Sequence, residues 1–327
     1  MSIIFKKIFF AILCLFLFLW LIFLFDFSFF SKNDIQFGVT FSTRYATYLG
    51  LDWKDLFQKG LNELGIRHFR IPVYWPDIEP SQGQFVWDDL DWIVTQADQS
   101  GAEILLAIGQ KVPRWPECYI PSWAIYLSQD KQDEALLNML DQVVNRYKSH
   151  LSVKQWQIEN EPFFSFGSCP KPRVDLIEKE IAQVRRLDNR PIVMTVSGEL
   201  ESWGRSAKMT DILGISIYRK VFQPNLGSFP YPIPALFYRL RSLFVFAYHR
   251  PIIVTEFQME PWLPKAFDQF SLQEREELFS LSQFKKNISY IRRTGFSEVY
   301  LWGFEWWYAE KLWGNDSLWN EAKILFP

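Results

Sequence analysis

Short seven-residue segments rich in apolar residues recur along most of this chain, spaced like strands separated by helices. They lie at 35–41 (IQFGVTF), 68–74 (HFRIPVY), 103–109 (EILLAIG), 153–159 (VKQWQIE), 191–197 (PIVMTVS), 212–218 (ILGISIY), 251–257 (PIIVTEF) and 298–304 (EVYLWGF). Between them, apolar residues return every three to four positions, as on one face of a helix. The stretches are DWKDLFQKGLNELG, DDLDWIVTQADQSG, DEALLNMLDQVVNRYKSH, VDLIEKEIAQVRRL, a weaker WGRSAKMTD, ALFYRLRSLFVFAYH and QEREELFSLSQFKKNISYIRRTG, with DSLWNEAKILF closing the chain. Gly65, Gly101 and Gly295 stand where helices are expected to stop.

Eight strands alternating with eight helices predict a (β/α)₈ barrel over residues 34–327, a length that accommodates the roughly 250 residues such a barrel needs. A doubly wound sheet would place a glycine-rich turn after its first strand, and FGVTFSTRY is not one. In barrels of this kind the active site lies at the C-terminal ends of the strands, so polar strand-terminating residues are the candidates for chemistry.

Residues 1–33 follow another pattern. Residues 8–25 (IFFAILCLFLFLWLIFLF) carry no charge and meet the lower length range of a transmembrane helix. The bulky FDFSFFSK that follows is unlike a small-residue cleavage site, which argues for a retained signal-anchor. Lys6 and Lys7 precede the span, so the expected topology is a cytoplasmic N-terminus with an extracytoplasmic barrel. The segment 223–250 is also strongly apolar; within it ALFYRLRSLFVFAYH (235–249) is expected to be the sixth barrel helix with its apolar face inward, the alternative being a lid or a surface that touches the membrane.

Charge and composition then exclude some functions. A formal net charge of −2 without a basic stripe argues against nucleic acid as a partner. The three histidines, His68, His150 and His249, are far apart, so neither a metal site nor a cofactor is expected. No obligatory protein partner is evident. Cys14 lies in the apolar span, whereas Cys118 and Cys169 lie in the proline-rich loops RWPECYIP and GSCPKP. Those loops follow the third and fourth strands and share a rim of the barrel, which predicts a Cys118–Cys169 disulfide outside the cytoplasm.

The strand ends carry a specific set of residues. The fourth strand runs into Asn160-Glu161-Pro162 and the seventh into Thr255-Glu256. Arg70, Tyr218 and Trp302 come from the second, sixth and eighth. Two carboxylates in one mouth suit glycosidic bond cleavage, where one protonates the leaving oxygen and the other attacks or assists at the anomeric carbon. Arg70 beside Glu256 would keep that carboxylate ionised. Neighbours on a pleated strand point to opposite faces, so Asn160 and Glu161 can serve one site only if the strand bulges or bends there. Pro162, which donates no ladder hydrogen bond, fits such an ending. Glu79, Glu159, Glu260 and Glu305 also lie near strand ends and compete as candidates.

The segments FRIPVYWPDIEPSQGQFVWDDLDWIVTQADQSG, WQIENEP, IYRK, PIIVTEF and YLWGFEWW together resemble the clan A retaining (β/α)₈ glycoside hydrolases, which include cellulases, β-mannanases and β-glycosidases. The resemblance spans residues 34–327. It implies that Glu161 is the general acid/base and Glu256 the nucleophile. Asn160 would bind the sugar 2-hydroxyl, Tyr218 and Arg70 would hold Glu256, and Trp302 would stack under the sugar. The implied substrate is an oligo- or polysaccharide or glycoside with a β-linkage. Ser216 and Gln110 depart from the clan's pattern, standing where many members carry histidine. The competing reading is a catalytically inactive, membrane-tethered carbohydrate-binding or envelope scaffold protein on the same barrel.

Overall fold

A computed structural model describes residues 3–25, 31–223, 227–263 and 267–326. Eight parallel strands close into a barrel, each paired with its neighbours in the chain. They are β1 (Gln36–Thr40), β2 (His68–Pro72), β3 (Glu103–Ile108), β4 (Val153–Asn160), β5 (Ile192–Ser197), β6 (Ile212–Ile217), β7 (Ile252–Gln258) and β8 (Glu298–Trp302), and β8 pairs back onto β1. Every strand falls within two residues of the segment predicted for it. The signal is strong because strands of a parallel barrel are covered on both faces and read as near-continuous apolar runs.

The barrel interior changes character along its axis. Leu105, Val193, Ile253 and Tyr300 form a small apolar cluster inside, separate from the main core that seals barrel against helices. Thr40, Arg70, Gln157, Thr195 and Thr255 are also buried, and hydrogen bonds among them make a polar layer toward the strand C-termini. A barrel centre turning polar at that end is prepared for charge at the mouth.

Each predicted helix has a counterpart, but bounds differ and among the described residues further short helices, such as Thr43–Tyr48 and Ser122–Ile125, are added. Asp88–Ser100 and Val174–Leu187 match closely, with Gly101 left-handed at its helix end. The first helix runs over Trp53–Lys59 and continues as a π-turn to Leu64. The long helix expected over 273–295 is two helices, Leu272–Leu278 and Leu281–Thr294. Phe279 is extended and buried there, and the Ser280 side chain accepts from the Gln283 N–H, capping a new start. At 298–304 the strand stops at Trp302, and a helix over Phe304–Leu312 begins after Gly303. The 223–250 region contains the expected helix, Ala235–Val245, preceded by a hairpin of Lys220–Gln223 and Gly227–Pro230.

At the N-terminus, Ile3–Phe25 is helical. Among the described residues no helix is long and apolar enough to cross a membrane, so the predicted transmembrane span is not carried by the structure. The flank that argued for a retained anchor falls mostly on 26–30, outside the described residues.

Candidate active site

The end of β4 bends as the sequence required. Glu159 and Glu161 both adopt left-handed backbone, with φ of 56° and 45°, and the pairing with β5 shifts register between Gln157 and Asn160. Non-glycine residues in this conformation cost roughly 1–3 kcal/mol each, so other contacts must hold them. Asn160 N–H donates to Lys111 O at 2.6 Å, and Glu161 N–H donates to Thr195 O at 3.0 Å. The Glu159 carboxylate turns toward β3 and accepts the Gln110 and Lys111 N–H groups at 2.8 and 2.6 Å. Gly109 makes room for it: a Cβ there would lie 2.4 Å from Glu159 Oε1. With Glu159 turned aside, Asn160 and Glu161 both join the cluster at the barrel mouth.

Arg70 is the centre of that cluster and is fully buried. Its Nη1 donates to Glu256 Oε1 at 2.8 Å, its Nη2 to Asn160 Oδ1 at 2.8 Å, and its Nε to Gln157 Oε1 at 2.7 Å. Tyr218 OH donates to the other Glu256 oxygen at 2.9 Å. Four predicted residues are therefore joined directly, and Glu256 has a partner on each oxygen. Glu161 is held differently, with Ser216 Oγ donating to its Oε1 at 2.5 Å. Lys111 Nζ fixes the following backbone through Glu161 O and Phe164 O at 2.9 and 2.8 Å.

These surroundings set the protonation states. Burial, and after it the nearby Glu256 charge, raise the Glu161 carboxyl well above its ordinary 4.5, and the Ser216 hydrogen bond opposes them. An acid raised in this way is better suited to hold a proton and donate it. Glu201 is pushed up to about 7, chiefly by burial.

Trp302 also reaches the mouth, through a second cluster. The Arg114 guanidinium packs between the rings of Tyr45 and Trp302, 3.7 and 4.0 Å from their centroids. It is paired with Glu260 and, at 3.0 Å, with Glu305 Oε2. The other competing acids are likewise engaged: Glu79 accepts from Trp75 Nε1 and Gly83 N–H, and Glu159 from the two backbone groups above. Sequence reasoning overlooked Arg114, Lys111, Glu117 and Gln157. The first three lie on the loop that follows β3, whose sequence marked it only as proline-rich with a cysteine. Asn160 Nδ2 donates to Glu117 Oε2 at 3.2 Å, which brings a third carboxyl into the cluster.

From Tyr218 outward, the rings of Trp262, Phe166 and Trp115 follow one another at centroid separations of 5.6, 6.0 and 5.9 Å. Trp115 is 68% exposed, so this aromatic row runs from the Glu256 side to the rim. The predicted disulfide is present: Cys118 and Cys169 are bonded, with Cα atoms 5.1 Å apart. Adjacent strands do bring those loops together. Beside the disulfide lies a cavity of about 250 Å³ lined by Lys111, Glu159 and Glu180; neither Glu161 nor Glu256 lines it. Among the described residues no group of three or more His, Cys, Asp or Glu side chains is arranged to hold a metal ion.

A closed barrel with carboxyl-bearing ends on β4 and β7 defines the class: a clan A (β/α)₈ glycoside hydrolase. The family model for cellulase (glycosyl hydrolase family 5) matches residues 33–213, and the chain belongs to that family, which makes it a glycosidase. Among solved structures it is similar to GH5_18 from Bifidobacterium longum, at 17% identity and a TM-score of 0.57, over 83% of this chain and 70% of that one. A variant of that enzyme was solved in complex with Manβ1-4GlcNAc, at the same identity and TM-score, over 82% and 68% of the two chains. Xylanase 10B from Thermotoga maritima is similar at 13% identity and a TM-score of 0.56, over 82% and 83%. Identities this low speak for the fold alone. No curated protein sequence matches the chain.

Proposed function

We propose that the protein is a retaining hydrolase of β-linked oligo- or polysaccharides, with Glu256 as nucleophile and Glu161 as general acid/base. The observation that carries this reading is the unequal treatment of the two carboxyls. Glu256 is fixed on both oxygens by donors from Arg70 and Tyr218. Glu161 is buried and pushed toward its protonated form. A Glu256 oxygen then attacks the anomeric carbon as the glycosidic C–O bond breaks, and the Glu161 proton goes to the leaving oxygen. In the second half, ionised Glu161 takes a proton from water. The water oxygen bonds to the anomeric carbon, and the Glu256 ester bond breaks.

Asn160 in this scheme binds the 2-hydroxyl and Trp302 lies beneath the sugar at the cleavage position. The aromatic row from Tyr218 to Trp115 offers flat surfaces to further sugar rings, which favours a chain over a monosaccharide glycoside. A relative crystallised with a β-linked disaccharide supports the same linkage. The reading extends to the N-terminal segment, which we take to anchor the barrel outside the cytoplasm. Described side chains of its helix, such as Phe10 and Phe16, stand well exposed.

The test is turnover by residues 34–327 on a panel of aryl β-glycosides and polysaccharides, followed by trapping with a 2-deoxy-2-fluoro glycoside. A glycosyl adduct on the peptide containing Glu256 is expected by mass spectrometry. Turnover without any adduct, or an adduct elsewhere, would contradict the assignment.

A further inference from the structure

We propose that Glu117 is a specificity-determining residue of this active site, which reads, together with Asn160, the hydroxyl on the carbon next to the anomeric centre. The proposal rests on the roles given above to Glu161 and Glu256.

Glu117 belongs to the loop after β3, and its backbone is left-handed, with φ of 74°. Within the loop its N–H donates to Arg114 O at 2.7 Å, and Val112 N–H donates to Glu117 O at 2.9 Å. The loop after β4 closes over it from the other side. Gly167 packs so tightly that a Cβ there would lie 2.6 Å from both Glu117 Cβ and Pro116 O. Ser168 N–H donates to Pro116 O at 2.9 Å, and the disulfide joins the next residue of each loop. Glutamates that serve only as a solvated rim are not gripped in this way; Glu117 is buried, and both loops that hold it carry residues of the site.

Its carboxyl points at the residue that meets the 2-hydroxyl. Asn160 Oδ1 is already taken by Arg70, and one of its Nδ2 hydrogens goes to Glu117 Oε2. Among the described hydrogen bonds, one Asn160 N–H and the second Glu117 oxygen are not used. A hydroxyl placed between them accepts from the amide and bonds the carboxyl, as donor or acceptor according to its protonation. A buried site built this way discriminates strongly against a substrate lacking the hydroxyl, because its own polar groups are then left unpaired.

The electrostatics agree with a place inside the cluster. Burial first, then the Glu256 charge, push the Glu117 carboxyl up to about 8, while Lys111, Arg70 and the Asn160 hydrogen bond act the other way. Its own charge is felt at Glu161, Tyr218 and Tyr119. Near neutrality Glu117 is therefore largely uncharged and does not compete with Glu256 for Arg70.

The experiment compares wild type, Glu117→Gln, Glu117→Ala and Gly167→Ala on the aryl β-glycoside that wild type turns over fastest and on its 2-deoxy counterpart. Glu117→Ala is expected to lower kcat/KM at least about tenfold on the parent, with a penalty of about twofold or less on the 2-deoxy substrate. Gly167→Ala keeps the carboxyl but displaces it, and should show the same selective loss. In Glu117→Gln the pH–rate profile should change only above neutrality, where the wild-type carboxyl ionises: the basic limb should move to lower pH, since the charge Glu117 gains there, which raises the Glu161 pKa, is absent. If Glu117→Ala fails to fold, the other two variants decide. Equal penalties on both substrates with an unmoved basic limb, in an active wild type, would overturn the proposal. A wild type inactive on every glycoside would instead overturn the glycosidase roles and this inference with them.

Discussion

Two buried arginines stand at the mouth of this barrel, and each gathers carboxylates, yet they do different work. Arg114 lies between Tyr45 and Trp302 and is paired with both Glu260 and Glu305. Glu305 also accepts the Ser42 N–H at 2.6 Å, and Glu260 accepts from both Nη1 and Nη2 of Arg114. Arg70 is paired with one carboxylate, Glu256, and spends its other donors on Asn160 and Gln157. The second acid, Glu161, is left to Ser216. A raised pKa does not separate the two clusters, because burial also pushes Glu305 up to about 7. Saturation does: the Arg114 acids are consumed by protein partners, whereas in the Arg70 cluster Glu161 has Ser216 as its side-chain partner and stands apart from the fixed Glu256 carboxylate. The first arrangement supports Trp302, and the second is equipped for bond cleavage.

The sharpest way to break this comparison is to remove one acid from each cluster. Glu256→Ala should abolish turnover for every leaving group, a loss of about 10⁴-fold or more in kcat, with little change in folding. Glu161→Ala should cost about 10²–10⁴-fold on substrates with poor leaving groups and much less on activated aryl glycosides, which need no protonation. If Glu260→Ala or Glu305→Ala matched Glu256→Ala in lost activity while remaining folded, the division would fail.

Stability gives the converse test. Arg114→Ala strands two buried carboxyls and is expected to cost about 3–5 kcal/mol in denaturant unfolding. That penalty should be smallest below about pH 7, where Glu305 can stay protonated, and should grow as pH rises and both acids are driven to ionise. A pH-independent penalty would show that the pairing is not its source. Replacing Cys118 and Cys169 by serine removes a link across 51 residues and should cost about 2–4 kcal/mol, with the selectivity loss described for Glu117 appearing alongside.

The smallest expected effect concerns Ser216. Its hydrogen bond lowers the Glu161 pKa, so Ser216→Ala should raise that pKa and move the basic limb of the pH–rate profile to higher pH. This is the opposite direction to Glu117→Gln. Two shifts of one sign would contradict the electrostatic account of Glu161.

The sequence made the frame and the two glutamates legible for a physical reason. Strands of a parallel barrel announce themselves as apolar runs, and this fold presents its site where those runs end. The bend at Asn160-Glu161 was readable too, since pleating forbids neighbours from sharing a face. Arg114 and Glu117 were not readable. Both sit in a loop without periodicity, and both reach the site through left-handed backbone that a glutamate or arginine codon does not signal. The hairpin before the sixth helix and the break at Phe279 were missed because local turn and cap geometry overrode a continuous apolar pattern.

The central claim, that Glu161 and Glu256 hold the acid/base and nucleophile roles, is tested most directly by azide. Azide needs no general base, so it should rescue Glu161→Ala on an activated aryl β-glycoside by attacking the glycosyl-enzyme, giving a glycosyl azide of retained configuration. On Glu256→Ala it should enter the face vacated by the carboxylate and give the inverted anomer. NMR of the two products reads the result: opposite anomers are predicted, and the same anomer from both variants would contradict the account.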